Sequence, residues 1–255
     1  MFVFLSRTVQ EAGDLLLQKR EEEFETMFKF GDNKNIVTSI DMEVNRFIIA
    51  AIKKEYPTHD IYSEEGGGNE NMNEYMWTID PIDGTSNFSR GIPHFSIVVG
   101  LLENGIPLMG AVYNPVTKEF FSFKKDEGAV LNGKKLSVSK KKDLKSSCVF
   151  FHSGHKQELH DWGLRSYTKL SEHSKKVQDF SGSALDICFV AAGRIEAAVY
   201  GTLSTLDIAP AIGILREAGG IIANQYGEDI ALSKEAQKTL IANNREMMDH
   251  LVKLL

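Results

Sequence analysis

The chain has 255 residues, a formal net charge of −6, 42% hydrophobic and 25% charged residues, which is room for one large domain or two closely packed lobes of ordinary globular composition. The acidic balance argues against nucleic acid as a main partner, yet it leaves a small phosphorylated ligand open, because a bound cation reverses the sign locally. No apolar run is long enough to span a membrane, the first residues carry no basic leader, and Cys148 and Cys188 sit among apolar neighbours without zinc spacing and read as two buried free thiols; the cytoplasm is the expected compartment.

In chain order, residues 3 to about 29 read as a helix. Val3, Leu5, Val9, Ala12, Leu15 and Leu16 form its apolar face, and the charged run "KREEEFETMFKF" forms its solvated one. "GDNKN" breaks the pattern. A second helix places Asp41 near its start, carries Val44, Phe47, Ile48 and Ile52 on its apolar face, and ends at Pro57. "HDIY" is a short strand. Glu64 and Glu65 follow it, then three glycines and a polar stretch that reads as a mobile loop. "YMWTID" is a strand, "DPIDGT" a turn, and "SNFSRGI" the first turns of a helix. From His94 to Val138 strand follows strand, with "ENGI", "NPVTK", "KDEG" and "LNGKK" as turns, which predicts an antiparallel meander. Phe95, Phe120, Phe121 and Phe123 read as core residues of these strands. The lysines of "NGKKLSVSKKKDLK" lack interleaved aromatics and read as a solvated edge.

The second half alternates strand and helix: "SSCVFFHSG", "KQELHDWGLRSYTKLSEHSK", "KVQDFSGSALDICFVAAGRIEAAVYG", "STLDIAPAIGILREAGGIIANQYGE", "TLIANN" and "REMMDHLVKLL". The expected class is α+β, in two lobes sharing one interface, residues 1–145 and 146–255. The seven histidines do not cluster, and His94 after Pro93 reads as structural.

Six carboxylates fall at predicted element ends: Asp41, Glu64, Glu65, Asp80, Asp83 and Asp207. Asp80 and Asp83 flank a proline that restrains the backbone. Their side chains and the Ile82 carbonyl can converge beside a helix start opened by Gly84 and Thr85. Oxygen donors in that arrangement suit a hard divalent cation, and a helix N-terminus suits a phosphate; the competing reading is a simple Asp-capped turn. Asp207 either caps the apolar helix that follows it or, having few polar neighbours in "LSTLDIAPA", needs a cation as its partner.

"DPIDGT", followed by "NFSRGIPHFSIVVGL", preceded by "VTSID" and "SEE", and answered by "LDIAPAIGILREAGG", resembles the inositol monophosphatase family, the Mg²⁺-dependent, lithium-sensitive phosphatase superfamily that also includes fructose-1,6-bisphosphatases and 3'-phosphoadenosine nucleotidases. The likeness runs from about residue 36 to about residue 225. It implies a layered α-β-α-β-α sandwich and a likeness-derived site. Glu64, Asp80 and the Ile82 carbonyl would hold a first Mg²⁺, Asp80, Asp83 and Asp207 a second, and a third, weaker ion would sit near Glu64, with Mn²⁺ as a substitute. Asp41 and Thr85 would orient the attacking water, Glu65 would support the ligands, and Gly84 and Thr85 N–H groups would receive phosphate. Ser181 and Ser183 match the substrate side, and Arg194 is a weaker candidate. Lys34 stands near a lysine common in the family. Two departures bear on specificity: Leu206-Asp207 replaces the frequent Trp-Asp pair, and Tyr200 stands where animal enzymes carry an inositol-gripping glutamate; Tyr200 can stack on a sugar or nucleoside, or pack.

The implied function is Mg²⁺-dependent hydrolysis of an inositol or sugar phosphate without a phospho-enzyme, by a homodimer with a small phosphorylated metabolite as partner and neither nucleic acid nor membrane. The alternatives are a 3'(2'),5'-bisphosphate nucleotidase, a fructose-1,6-bisphosphatase, or a catalytically silent regulatory binding module.

Overall fold

The computed structural model of the protein describes residues 1–22, 25–28, 36–69, 74–154 and 160–255. Lys34, the middle of the polar stretch after Gly68 and the first residues of the helix expected after His155 lie outside the described residues.

Helix α1 (Phe2–Arg20) buries Leu5, Val9, Ala12 and Leu16. Val3, expected on that face, is exposed: two residues from Leu5 is roughly 200° around a helix. The helix also ends at Arg20 rather than near residue 29. Glu21, Glu22 and Glu25 bring negative charge to a helix C-terminus, where the macrodipole disfavours it, and Thr26–Phe28 instead form strand β1, paired antiparallel with β2 (Ile36–Thr38). Helix α2 (Ser39–Glu55) starts on a capping box. Asp41 N–H donates to the Thr38 hydroxyl, and the Asp41 carboxylate accepts the Thr38 N–H.

The first large sheet has seven strands in chain order: β3 (Asp60–Ser63), β4 (Tyr75–Asp83), β5 (Ser96–Glu103), β6 (Ile106–Asn114), β7 (Glu119–Lys124), β8 (Gly128–Leu131) and β9 (Lys134–Lys135). β3 and β4 run parallel; the rest is the expected meander. Both Asn-Gly turns reverse through positive φ, at Asn104 (51°) and Asn132 (48°). The lysine run does sit at an edge: Lys134 and Lys135 are exposed on β9, the outermost strand. Phe121 and Phe123 are buried between the sheets; Phe95 is buried, and Phe120 half-buried, on the opposite side, with α1 and α2.

The second sheet has five strands, ordered β11 (Lys176–Gln178), β10 (Cys148–His152), β12 (Ala197–Leu203), β14 (Gln237–Ala242), β13 (Ile221–Asn224). β10 is parallel to both neighbours, and β14 is antiparallel to both of its own. Short α3 (Thr85–Ser89) follows β4. Helices α1 and α2 cover one face of the first sheet around Leu5, Val44, Ile48, Trp77 and Ile79. Helices α5 (Ser183–Ala191) and α6 (Ala209–Glu217) fill the space between the sheets with Val98, Phe121, Ile187, Ile212 and Ile241. Helices α4 (His160–His173) and α7 (Arg245–Leu254) close the far face of the second sheet around Val199, Leu240 and Met247. The result is the α-β-α-β-α sandwich. Each large apolar side chain buried in these layers contributes about 1.5–3 kcal/mol. Cys188 is buried and Cys148 half-buried, both as free thiols.

One close approach positions the site. Gly100 of β5 and Gly110 of β6 face each other across their ladder, and Pro210, in the first turn of α6, lies on both. A Cβ at Gly100 would stand 2.7 Å from the Pro210 ring, and one at Gly110 would stand 2.8 Å from it. Two missing side chains therefore let α6, with Asp207 just ahead of it, settle onto the first sheet.

Candidate active site

The Asp-Pro-Ile-Asp stretch is part of the strand, not a turn after it. β4 runs on to Asp83, and its pairing shifts from Asp80↔Val98 to Asp83↔Ser96, three steps on one strand against two on the other. That is a bulge. Pro81 has no N–H to give the ladder, which is why a proline is tolerated there. Asp80 Oδ1 accepts the Ile82 N–H at 3.0 Å. Gly84 follows with φ +89°, the left-handed region, and a Cβ there would meet the His94 carbonyl oxygen at 2.9 Å.

Asp83 reaches the other sheet's helices. Its Oδ1 accepts the Ser183 hydroxyl at 2.8 Å and its Oδ2 the Ala184 N–H at 3.0 Å, so it caps α5 from outside. Burial pushes its carboxyl above the usual range, against the pull of those two hydrogen bonds. Thr85 Oγ1 lies 2.9 Å from the Ile82 carbonyl oxygen and 3.2 Å from Asp41 Oδ1, and its one proton serves one of them at a time. Asp41 is fully buried. Burial raises its pKa to about 6, although the Thr38 and Thr85 hydrogen bonds favour the charged form.

A cavity of about 290 Å³ collects the pieces. Glu64, Asp80, Ile82, Asp83, Gly84, Thr85 and Asp207 line it together with Ser181, Ser183 and Tyr200. Glu65 and Asp41 do not line it. Glu65 N–H lies 3.3 Å from Ser63 Oγ, and Asp41 is joined to the cavity lining through Thr85. Arg194 is elsewhere, paired with Glu119 and stacked on Phe189. Asp207 is not the cap of α6, whose N-cap is Ile208 without a side-chain bond. Nor is it short of polar neighbours: Tyr62 donates to Asp207 Oδ1 at 2.7 Å. Leu206 is buried with Leu102 and Ala209.

Among the described residues no three Asp, Glu, His or Cys side chains close around a single point; Asp80, Asp83 and Asp207 each engage a protein donor. The donor set lining the cavity is four carboxylates and the backbone carbonyl of Ile82, with no thiolate. That chemistry fits a hard divalent cation, and holding one between three carboxylates requires side-chain rotation toward the cavity.

Sequence reasoning missed three participants. His152, at the end of β10, lines the cavity. Burial disfavours its charged form, but the Asp179 hydrogen bond and the charges of Asp179, Asp186 and Asp83 prevail and raise its pKa. Asp186 is buried in α5 and takes His94 Nε2 at 2.9 Å and the Tyr200 hydroxyl at 3.2 Å. Burial raises its pKa against those contacts. An acid inside "ALDICFVA" was the available signal, since a buried carboxylate needs partners; for Tyr62 there was none. His94 is tied to buried Asp186, and Tyr200 is packed, its ring buried and its hydroxyl on Asp186.

A sequence model of the inositol monophosphatase family matches residues 1–255. The chain belongs to the inositol monophosphatase family. Among inositol monophosphatase relatives, "Nus factor SuhB" of Pasteurella multocida is 33% identical over 87% of this chain and 84% of its own. "Fructose-1,6-bisphosphatase/inositol-1-monophosphatase" of Thermotoga maritima is 32% identical over 87% and 83%. The crystal structure of the extragenic suppressor protein suhB from Bartonella henselae superposes with a TM-score of 0.92 at 25% identity, covering 99% of this chain and 97% of that one. Membership in the inositol monophosphatase family, which is generally metal-dependent, supports a phosphatase of that class. Among the described residues no helix is long and apolar enough to cross a membrane.

Proposed function

We propose that the protein hydrolyses a small polyol or sugar phosphate monoester with Mg²⁺. The observation that carries this is the composition of the cavity: four carboxylates line it together with the hydroxyl-bearing residues Ser181, Ser183, Thr202 and Ser204. In this reading Glu64, Asp80 and the Ile82 carbonyl hold one ion, and Asp80, Asp83 and Asp207 hold another. When bound, divalent cations neutralise the phosphoryl oxygens and make a coordinated water more acidic.

The chain's own groups do the rest. Thr85 and Asp41 form a hydrogen-bonded pair beside the bulge, so a water bound to the Thr85 hydroxyl can pass its proton toward Asp41, which is ionised above about pH 6. Backbone N–H groups at Gly84 and Thr85 would serve a phosphate as local donors; α3 spans only five residues and adds little dipole. Ser183, bonded to Asp83, sets a hydroxyl beside the acids. The same reading carries Mn²⁺ as a working substitute, inhibition by lithium and a homodimer.

The lining also ranks the alternatives. No lysine or arginine is among the described residues that line the cavity, which disfavours a second phosphate, and Tyr200 is too buried to stack on a base. A panel of phosphate esters assayed with Mg²⁺ tests this: preferred hydrolysis of a polyol phosphate supports it, and a preference for phosphoadenosine phosphate or fructose 1,6-bisphosphate overturns it. A silent regulatory module is the second reading, favoured by the "Nus factor" name of the Pasteurella multocida relative; hydrolysis of no small phosphate by the intact chain would establish it.

A further inference from the structure

A second cavity, of about 640 Å³, lies next to the acid-lined one. The turn between β5 and β6 and residues 229–234, between β13 and β14, contribute to its lining. Met76 of β4 and its ladder partner Leu102 of β5 line it too. With Ile106, Leu206, Ile230 and Leu232 they make the lining chiefly hydrocarbon. The chemistry proposed above uses none of these side chains.

The two cavities share a tied pair of segments. Leu206 lines the second cavity, while Asp207 and Ile208, the next two residues, line the first. Leu206 N–H donates to the Ser233 carbonyl at 3.1 Å, and Ser233 N–H donates to the buried Thr205 hydroxyl at 2.8 Å. Ser204, which lines the first cavity, has its hydroxyl 3.3 Å from the same Ser233 carbonyl oxygen. Residues 204–206 and 231–233 are therefore bonded to each other, and what touches Leu206 and Leu232 together holds both. It also holds Asp207 where Tyr62 meets it.

The occupant follows from size, surface and charge. The volume falls within the roughly 300–1,000 Å³ typical of small-molecule sites, and a hydrocarbon lining takes an apolar body. Arg216 of α6 brings a cation to the lining, and its carboxylate partner Asp229, 2.7 Å away, is 79% exposed. An ion pair so open to water contributes little. An acid carried by a ligand can take the place of Asp229 on the guanidinium.

We propose that this second cavity is an effector site for a small molecule with an apolar body and one acidic group, and that its occupancy tightens cation binding at Asp207. The coupling rests on the phosphatase reading above; the site itself does not. The test uses 1-anilinonaphthalene-8-sulfonate, an aromatic body with one sulfonate, and N-phenyl-1-naphthylamine, the same body without the acid, each followed by fluorescence with the intact chain. The sulfonate should saturate at a single site. Ala231→Trp, which adds bulk to the lining at an exposed position, should weaken both probes roughly tenfold, and Arg216→Gln should weaken the sulfonate alone. Saturating sulfonate should tighten Mn²⁺ binding, read by calorimetry, about fivefold, and Mn²⁺ should tighten the sulfonate by the same factor, because coupling is reciprocal. That enhancement should be absent in Ala231→Trp. No saturable binding, or sulfonate binding unchanged in either folded variant, overturns the site. Sulfonate binding that leaves Mn²⁺ affinity unchanged overturns the coupling. A change of oligomeric mass in Ala231→Trp, read by light scattering, assigns this face to a second copy of the chain and overturns the proposal. A chain that binds the sulfonate but no Mn²⁺ overturns the phosphatase reading and leaves the ligand site standing.

Discussion

Tyr62 donates its hydroxyl proton to Asp207 Oδ1 at 2.7 Å, joining the end of β3 to the start of α6. The ring lies under the Lys234 ammonium at 4.8 Å, so the phenol is held from two sides. Glu64 follows Tyr62 by two residues, and this bond therefore ties together two of the acids on the cavity wall. A partner that orients a ligating carboxylate is typically worth 10–100-fold in metal affinity. Tyr62→Phe should weaken Mn²⁺ binding by about tenfold, read by calorimetry, while costing only about 1 kcal/mol of stability. Unchanged Mn²⁺ affinity would show that Asp207 is placed without it.

Asp83→Asn separates chemistry from folding. An asparagine can keep one acceptor toward the Ala184 N–H and turn its amide to Ser183 Oγ, so the contact with α5 survives. The charge does not. Phosphatase activity should fall at least 100-fold, on the order of 3 kcal/mol of lost transition-state stabilisation, with the thermal melt shifted by only a few degrees. Retained activity would remove Asp83 from the catalytic set.

Asp41 gives the pH prediction. Its folded pKa is raised from 3.8 to about 6, chiefly by burial. Between those values the folded chain binds more protons than the unfolded one, so Asp41's contribution to stability falls as pH rises through that window and is constant above it. Activity should show the opposite sense, with kcat/KM falling as pH drops below about 6 as Asp41 takes a proton. Asp41→Asn should melt higher than wild type at pH 7 and have lost the acid limb together with most of the activity. A lower melting point at pH 7 would mean that the ionised carboxylate stabilises the fold.

Thr38→Val probes the same group through its cap. The Thr38 hydroxyl favours ionised Asp41, and valine removes it while keeping the backbone N–H. The acid limb of the pH profile should move to higher pH, and the lost cap should cost about 1 kcal/mol. A limb that stays in place would assign it to another group.

Much of this architecture is legible in the sequence, for identifiable reasons. Turn chemistry marked the meander, since Asn104-Gly105 and Asn132-Gly133 specify hairpins locally. The acids of the cavity announced themselves by type and position at element ends. What escaped is what depends on partners distant in sequence. α1 stops at Arg20 because β2 offers β1 a pairing that no helical periodicity records. The bulge at Pro81 depends on the register against β5. His152 reads as one more residue of an apolar strand until Asp179 is beside it, and Tyr62 is an ordinary strand tyrosine until it meets Asp207.

The seat of Pro210 on Gly100 and Gly110 has a consequence for how this cavity can change. The depth at which the second half delivers its acid is dictated by two hydrogens where any other residue would bring a methyl. A single added carbon in that hairpin would lift the whole segment and withdraw Asp207 without altering any polar atom, so the tolerance of the cavity to mutation is governed as strictly by emptiness in a remote strand pair as by its own oxygens.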